Sequence, residues 1–263
     1  MPDSETSLMQ IANHIITQHP LLAPQIENIA AVIQGKGFGA ASIEHEVNAC
    51  FQLLNRAPRL VIDIGGNIGD YTAELRRRGP DIEIHTFEPS VTNIQKLRQR
   101  FVNEEKVVIL PFAVSDKAGA AVLYSNAPGS GLGSLTQRRL EHSHIDFSVE
   151  ESVATIRFES YWRDSLQERV LDLVKMDIEG HELAALHGFG EAIHATRVLQ
   201  FEFGGCNIDT RTYFQDFWYF FKERGFDIHR ITPLGAQKIQ DYSTLHEHFS
   251  TANYVAVNQK VLA

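Results

Sequence analysis

The 263-residue chain is 43% apolar and 22% charged, an ordinary globular mix that supports a sizeable core and argues against wholesale disorder. Its 33 acidic against 24 basic residues give a net charge of −9, which argues against nucleic acid or an anionic membrane as a partner. Two cysteines, Cys50 and Cys206, are too few for a disulfide framework, no apolar run is long enough to span a membrane, and the start Met1-Pro2-Asp3-Ser4-Glu5-Thr6 has no basic leader, so a cytoplasmic protein is expected.

Residues 1–57 read as a helical appendage. Pro24 suits a first turn, and Ile26, Ile29, Ala30 and Ile33 follow at spacings of three and four until Gly35 and Gly37. Ile43, Val47, Phe51 and Leu54 continue the pattern, and these helices could cap a site or build a homodimer. From residue 58 to 263 short β-rich runs alternate with helical stretches, which predicts a doubly wound, mostly parallel seven-stranded α/β sheet. The predicted strands are 59–64, 82–87, 107–114, 171–178, 198–203, 226–231 and 254–257. Helices are expected over 71–78, from Ser90 through Phe101, over 182–186 and over 213–224. Between the third and fourth strands, 125–137 carries three alternating glycines, Gly129, Gly131 and Gly133, as either a hinged lid or a floppy connector would.

The most informative stretch is Val61-Ile62-Asp63-Ile64-Gly65-Gly66-Asn67-Ile68-Gly69-Asp70-Tyr71. A strand delivers three glycines to a turn that lets a ligand touch backbone and then opens a helix. The dinucleotide template wants glycines at its first, third and sixth positions, but counting from Gly65 these hold Gly65, Asn67 and Asp70; a P-loop would need Lys-Ser or Lys-Thr, and neither follows. Asp63 instead offers a carboxylate to an ammonium group. Glu88, 23 residues past Gly65 and followed by Pro89, is placed to accept both hydroxyls of a ribose. Ala113 and Val114 end the third strand with small apolar surface for a flat base. Ammonium, ribose and base sites together describe S-adenosylmethionine, held by Asp63, Gly65, Gly66, Asn67, Gly69, Tyr71, Glu88, Pro89, Ala113, Val114 and Asp177.

On Asp63-Ile64-Gly65-Gly66-Asn67-Ile68-Gly69, Phe87-Glu88-Pro89, Ala113-Val114-Ser115-Asp116 and above all Lys175-Met176-Asp177-Ile178-Glu179-Gly180-His181-Glu182, the sequence resembles class I S-adenosylmethionine-dependent methyltransferases, more narrowly the FkbM family. The resemblance spans about residues 58 to 258. It implies O-methyl transfer to a hydroxyl of a small molecule, a sugar or natural-product scaffold. The segment Phe158-Glu159-Ser160-Tyr161-Trp162-Arg163-Asp164 departs from the family's Thr-Leu-Asp type pattern on the acceptor side.

If the fourth strand runs to Ile178, Lys175, Asp177 and Glu179 share one face. Asp177 is then the catalytic candidate nearest the methyl group, Lys175 its orienter, and Glu202 a second acid from the neighbouring strand. Asp177, Glu179, Glu202 and His181 leave room for Mg²⁺, although no spacing demands a metal. A nicotinamide-dependent oxidoreductase and a noncatalytic cofactor-binding module are the alternatives. Tyr213 to Phe221 reads as a packed aromatic helix.

Overall fold

The computed structural model describes residues 4–37 and 43–261; Met1 to Asp3, part of the start read above, lie outside them. In chain order the elements are α1 (Ser4–Gln18), α2 (Ala23–Ile33), α3 (Ile43–Leu54), β1 (Leu60–Ile64), α4 (Asp70–Arg78), β2 (Glu83–Phe87), α5 (Val91–Arg100), β3 (Val107–Leu110), β4 (Ala113–Val114), β5 (Gly119–Ser125) and β6 (Val149–Ile156). There follow α6 (Phe158–Asp164), β7 (Leu171–Met176), α7 (Glu182–Gly188), β8 (Thr196–Phe203), α8 (Cys206–Thr210), α9 (Phe214–Glu223), β9 (Phe226–Thr232), β10 (Gly235–Lys238) and β11 (Ala252–Asn258).

Eight strands form one sheet in the order β10-β9-β11-β8-β7-β1-β2-β3. Neighbours from β8 to β3 pair in parallel, whereas β11 is antiparallel to both β8 and β9. The chain winds outward from β1 through β2 to β3, then returns to β7 on the other side of β1 and continues to β8. That reversal makes the carboxyl ends of β1 and β7 a topological switch point, where open α/β sheets leave a crevice.

Strand alternation sends side chains to two layers. Leu60, Ile62 and Ile64 join a core with Phe158, Leu186 and Phe217 from α6, α7 and α9, while Val61 faces Val47, Cys50, Tyr71 and Leu75 from α3 and α4. Thus α3 shares the core of the strands. By contrast, the apolar side chains Leu8, Ile11 and Ile16 of α1 and Ile26, Ile29 and Ile33 of α2 are exposed. The aromatic helix is α9, with Phe214, Phe217, Trp218, Phe220 and Phe221 buried and Tyr213 and Tyr219 exposed beside it.

Two expectations change. The single strand 107–114 divides at Pro111, which has no N–H to continue the ladder; β3 stays in the main sheet, while β4 joins a separate three-stranded sheet in the order β4-β6-β5. The main sheet also has eight strands rather than seven, because a tight turn after Thr232 adds the hairpin strand β10. No helix among the described residues is long and apolar enough to cross a membrane.

Candidate active site

A cavity opens at the switch point. Its walls come from the glycine turn (Gly65, Gly66, Asn67), the tip of β2 (Glu88, Pro89), β4 (Ala113, Val114), the segment after β7 (Asp177, Ile178, Glu179) and α3 (Ile43, Glu46). Ser130, Gly131, Gly133 and Leu135 of the glycine-rich segment close one side.

The turn is built by contact between strand tips. Gly65 has φ of 82°, and a Cβ there would run into the Asp177 carbonyl; at Gly66 one would strike the Thr86 side chain. Only glycine lets β1 end this close to both neighbours. Gly69, at φ 87°, starts α4 packed against Leu97 and Phe101 and lies outside the cavity wall. The Asn67 N–H donates to Glu88 Oε2 at 2.8 Å and the Ser90 N–H to Oε1 at 2.9 Å, pinning the β2 tip to the turn. Burial pushes the Glu88 carboxyl up to about 7 against these two donors. Tyr71 lines the cavity and donates its hydroxyl to Gln200 Oε1 at 2.9 Å.

Asp63 does not line the cavity. It is fully buried, accepts from Thr72 Oγ1 at 2.7 Å, and its Oδ1 lies 3.7 Å from Lys175 Nζ. The ammonium it serves is that of Lys175, whose side chain crosses from β7 and also donates to the Gly65 carbonyl at 3.1 Å. Burial opposes the Lys175 charge, but Asp177, Asp63 and Glu46 together hold its ammonium above the ordinary value.

β7 ends at Met176, so the alternation expected through Glu179 fails beyond it. Asp177 remains in place: its N–H donates to the Ile64 carbonyl at 3.1 Å, its Oδ2 lies 3.4 Å from Lys175 Nζ, and its side chain is 39% exposed toward the cavity. Glu179 leaves the strand at φ 55° and pairs with Arg138, a partner unseen in the sequence. Burial and the nearby Asp177 push the Glu179 carboxyl up to about 7 despite that arginine.

Glu202 lies outside the cavity wall, because β8 outruns β7: Met176 pairs with Phe201, and Glu202 continues past the β7 tip. Burial and the surrounding Asp177, Glu179 and Glu182 raise its carboxyl pKa. The metal option divides likewise. Candidate ligand atoms of Glu179, Glu202 and Cys206 lie within 4.8 Å of one another, but His181 turns away to Ser115 Oγ at 2.9 Å and Arg138 already neutralises Glu179.

The residue most plainly missed is Glu46. It comes from α3, sits in the cavity wall, and accepts from Gln200 Nε2 at 2.5 Å. Burial pushes its carboxyl up to about 7. One polar position in an amphipathic helix carries no sign of this in sequence. Arg138 was equally hidden, since nothing local links it to Glu179 41 positions on.

A doubly wound sheet with a glycine turn, a carboxylate on the next strand and a cavity at the switch point defines the class I methyltransferase fold. The chain belongs to the FkbM methyltransferase family: the Methyltransferase FkbM domain matches residues 63–228. It is 25% identical over 160 residues to the 2-O-methyltransferase NoeI of Sinorhizobium fredii, a match covering 57% of this chain and 65% of that protein. Among solved structures it is similar to an rRNA methylase of Streptococcus thermophilus, with TM-score 0.44 and 10% identity over 81% of this chain and 94% of that one. A SAM-dependent O-methyltransferase of Thermotoga maritima aligns with TM-score 0.40 and 10% identity, covering 82% and 71% respectively.

Proposed function

We propose that this protein is an S-adenosylmethionine-dependent O-methyltransferase acting on a hydroxyl of a small molecule, a sugar or a natural-product scaffold. The observation that carries this reading is the composition of one continuous cavity: glycine backbone, a buried ribose-type acid at Glu88, apolar Ala113 and Val114, and Asp177 at its open side. The residues suit the donor, with Ala113, Val114, Leu123 and Phe112 for the purine, Glu88 for the ribose diol and the 65–67 turn for the aminoacyl end. When bound, S-adenosylmethionine supplies an electrophilic sulfonium methyl. The chain's task is then to hold an acceptor oxygen in line and relieve it of its proton. Asp177 receives the hydroxyl's hydrogen bond and takes that proton, while Lys175, 3.4 Å away, fixes the carboxylate's orientation. The relative named as a 2-O-methyltransferase supports oxygen as the methyl acceptor.

The test is methyl transfer measured on a panel of sugars, polyketides and phenols, with and without Mg²⁺. Turnover of at least one hydroxylated acceptor is expected, and Asp177→Ala should lower kcat by about 10²- to 10⁴-fold, the usual range for a lost general base. Turnover at the parental rate in Asp177→Ala would remove that residue's assigned role. Binding of NAD in place of S-adenosylmethionine would remove the reaction itself.

A further inference from the structure

We infer that Glu46 of α3 is the receptor for the α-ammonium of the methyl donor's aminoacyl group. This assignment rests on the cavity being the S-adenosylmethionine site proposed above.

An aminoacyl group is a zwitterion, and its ammonium needs a carboxylate that no protein cation has neutralised. Five carboxylates line the cavity among the described residues. Asp70 is paired with Arg100 at 2.6 Å, Asp177 with Lys175 at 3.4 Å and Glu179 with Arg138. Glu88 spends an oxygen on each of two backbone N–H groups. Glu46 makes no ion pair among the described residues, and its hydrogen-bond partner is the neutral Gln200 amide. That amide is itself fixed, because its oxygen accepts from the Tyr71 hydroxyl at 2.9 Å and from the Cys50 thiol at 3.2 Å. The carboxylate is thus aimed by a buried chain of neutral donors; the Lys175 ammonium acts on it only from beyond ion-pair distance.

Strand order supplies the distance argument. Glu46 sits over Gln200 of β8, which is in register with Lys175 of β7, whereas Glu88 ends β2 and Ala113 belongs to β4 beyond it. β7 and β1 therefore lie between Glu46 and the nucleoside walls, about three strand spacings of roughly 4.8 Å each. A ligand with its sugar on Glu88 and its base on Ala113 points its remaining end toward Glu46. Asp63, the carboxylate that strand position favours in the sequence, is sealed behind Lys175 and Thr72.

The test compares two ligands that share a nucleoside thioether. S-adenosylhomocysteine carries the aminoacyl group, and 5′-methylthioadenosine lacks it. Calorimetric titration of the full chain is expected to show that Glu46→Gln, which keeps an oxygen for Gln200, weakens S-adenosylhomocysteine about 10- to 100-fold, as for a lost hydrogen bond to a charged group. Affinity for 5′-methylthioadenosine should stay within about twofold of the parental value, which also reports an intact fold, and Glu46→Asp should restore part of the loss. Equal effects on both ligands, or none on either, would overturn the assignment while leaving the donor site standing. A parental protein that bound neither ligand would overturn the donor site and the assignment with it.

Discussion

Gly65 carries two constraints at once, a φ of 82° and the Asp177 carbonyl where a side chain would be. Gly65→Ala must strain the backbone and push β1 and β7 apart, so a loss of about 1–3 kcal/mol is expected in urea denaturation, together with loss of S-adenosylhomocysteine binding. An alanine variant of parental stability and affinity would show that the two strand tips need not approach. Lys175 is a second such residue. Its removal leaves Asp63 buried with Thr72 as its one remaining partner, so Lys175→Met should cost about 3–5 kcal/mol, the range for breaking a buried pair. Asp177→Ala, at a 39% exposed carboxylate, should cost far less stability while removing turnover. Equal destabilisation by the two changes would mean that Lys175 is not the keystone of the strand tips. That Asp177 and Glu88 line the cavity was legible because each directly follows an apolar strand. Asp63 was misread: strand position places it at the right edge, but burial is decided by Thr72 and Lys175, which come from α4 and β7.

The elements that hold the cavity differ in how plainly the sequence announces them. β1, β2, β7 and β8 are apolar runs bounded by turns and stand within two residues of their expected limits. β5 and β6 are not, since β6 reads Val149-Glu150-Glu151-Ser152-Val153-Ala154-Thr155-Ile156 and buries only Val153 and Thr155. Their small sheet nevertheless carries β4 and with it Ala113. The glycine-rich segment after β5 is anchored as well as lid-like: Ser134 exchanges backbone hydrogen bonds with Tyr124, and its hydroxyl donates to the Glu179 carbonyl at 2.8 Å. Ser130 and Gly131 lie N-terminal to that anchor and face the cavity. Deleting 126–133 is accordingly expected to raise the acceptor KM and lower kcat, measured by steady-state methyl transfer, with the fold retained. Unchanged constants would dismiss the segment as a lid.

Across the whole molecule, buried carboxyls set the response to pH. Burial pushes Glu46, Glu88 and Glu179 up to about 7 and Glu182 up to about 8, so the folded chain binds more protons than the unfolded chain above the ordinary value of 4.5. Stability from these groups is complete below about pH 4.5 and is lost as pH rises through 7 to 8. His85, His181, His229, His246 and His248, all held below 6.5, act oppositely, but they are largely neutral in both states above pH 7. The unliganded protein should therefore lose melting temperature between about pH 7 and 8, and Glu182→Gln should flatten that slope; a rising curve would contradict the burial of these groups as neutral acids. The most direct measurement of all is a crystal structure with S-adenosylhomocysteine. The ribose hydroxyls are expected on Glu88, the purine against Ala113 and Val114, and the aminoacyl group between the 65–67 turn and α3. A nucleoside bound elsewhere, with this cavity left to solvent at saturating ligand, would contradict the account.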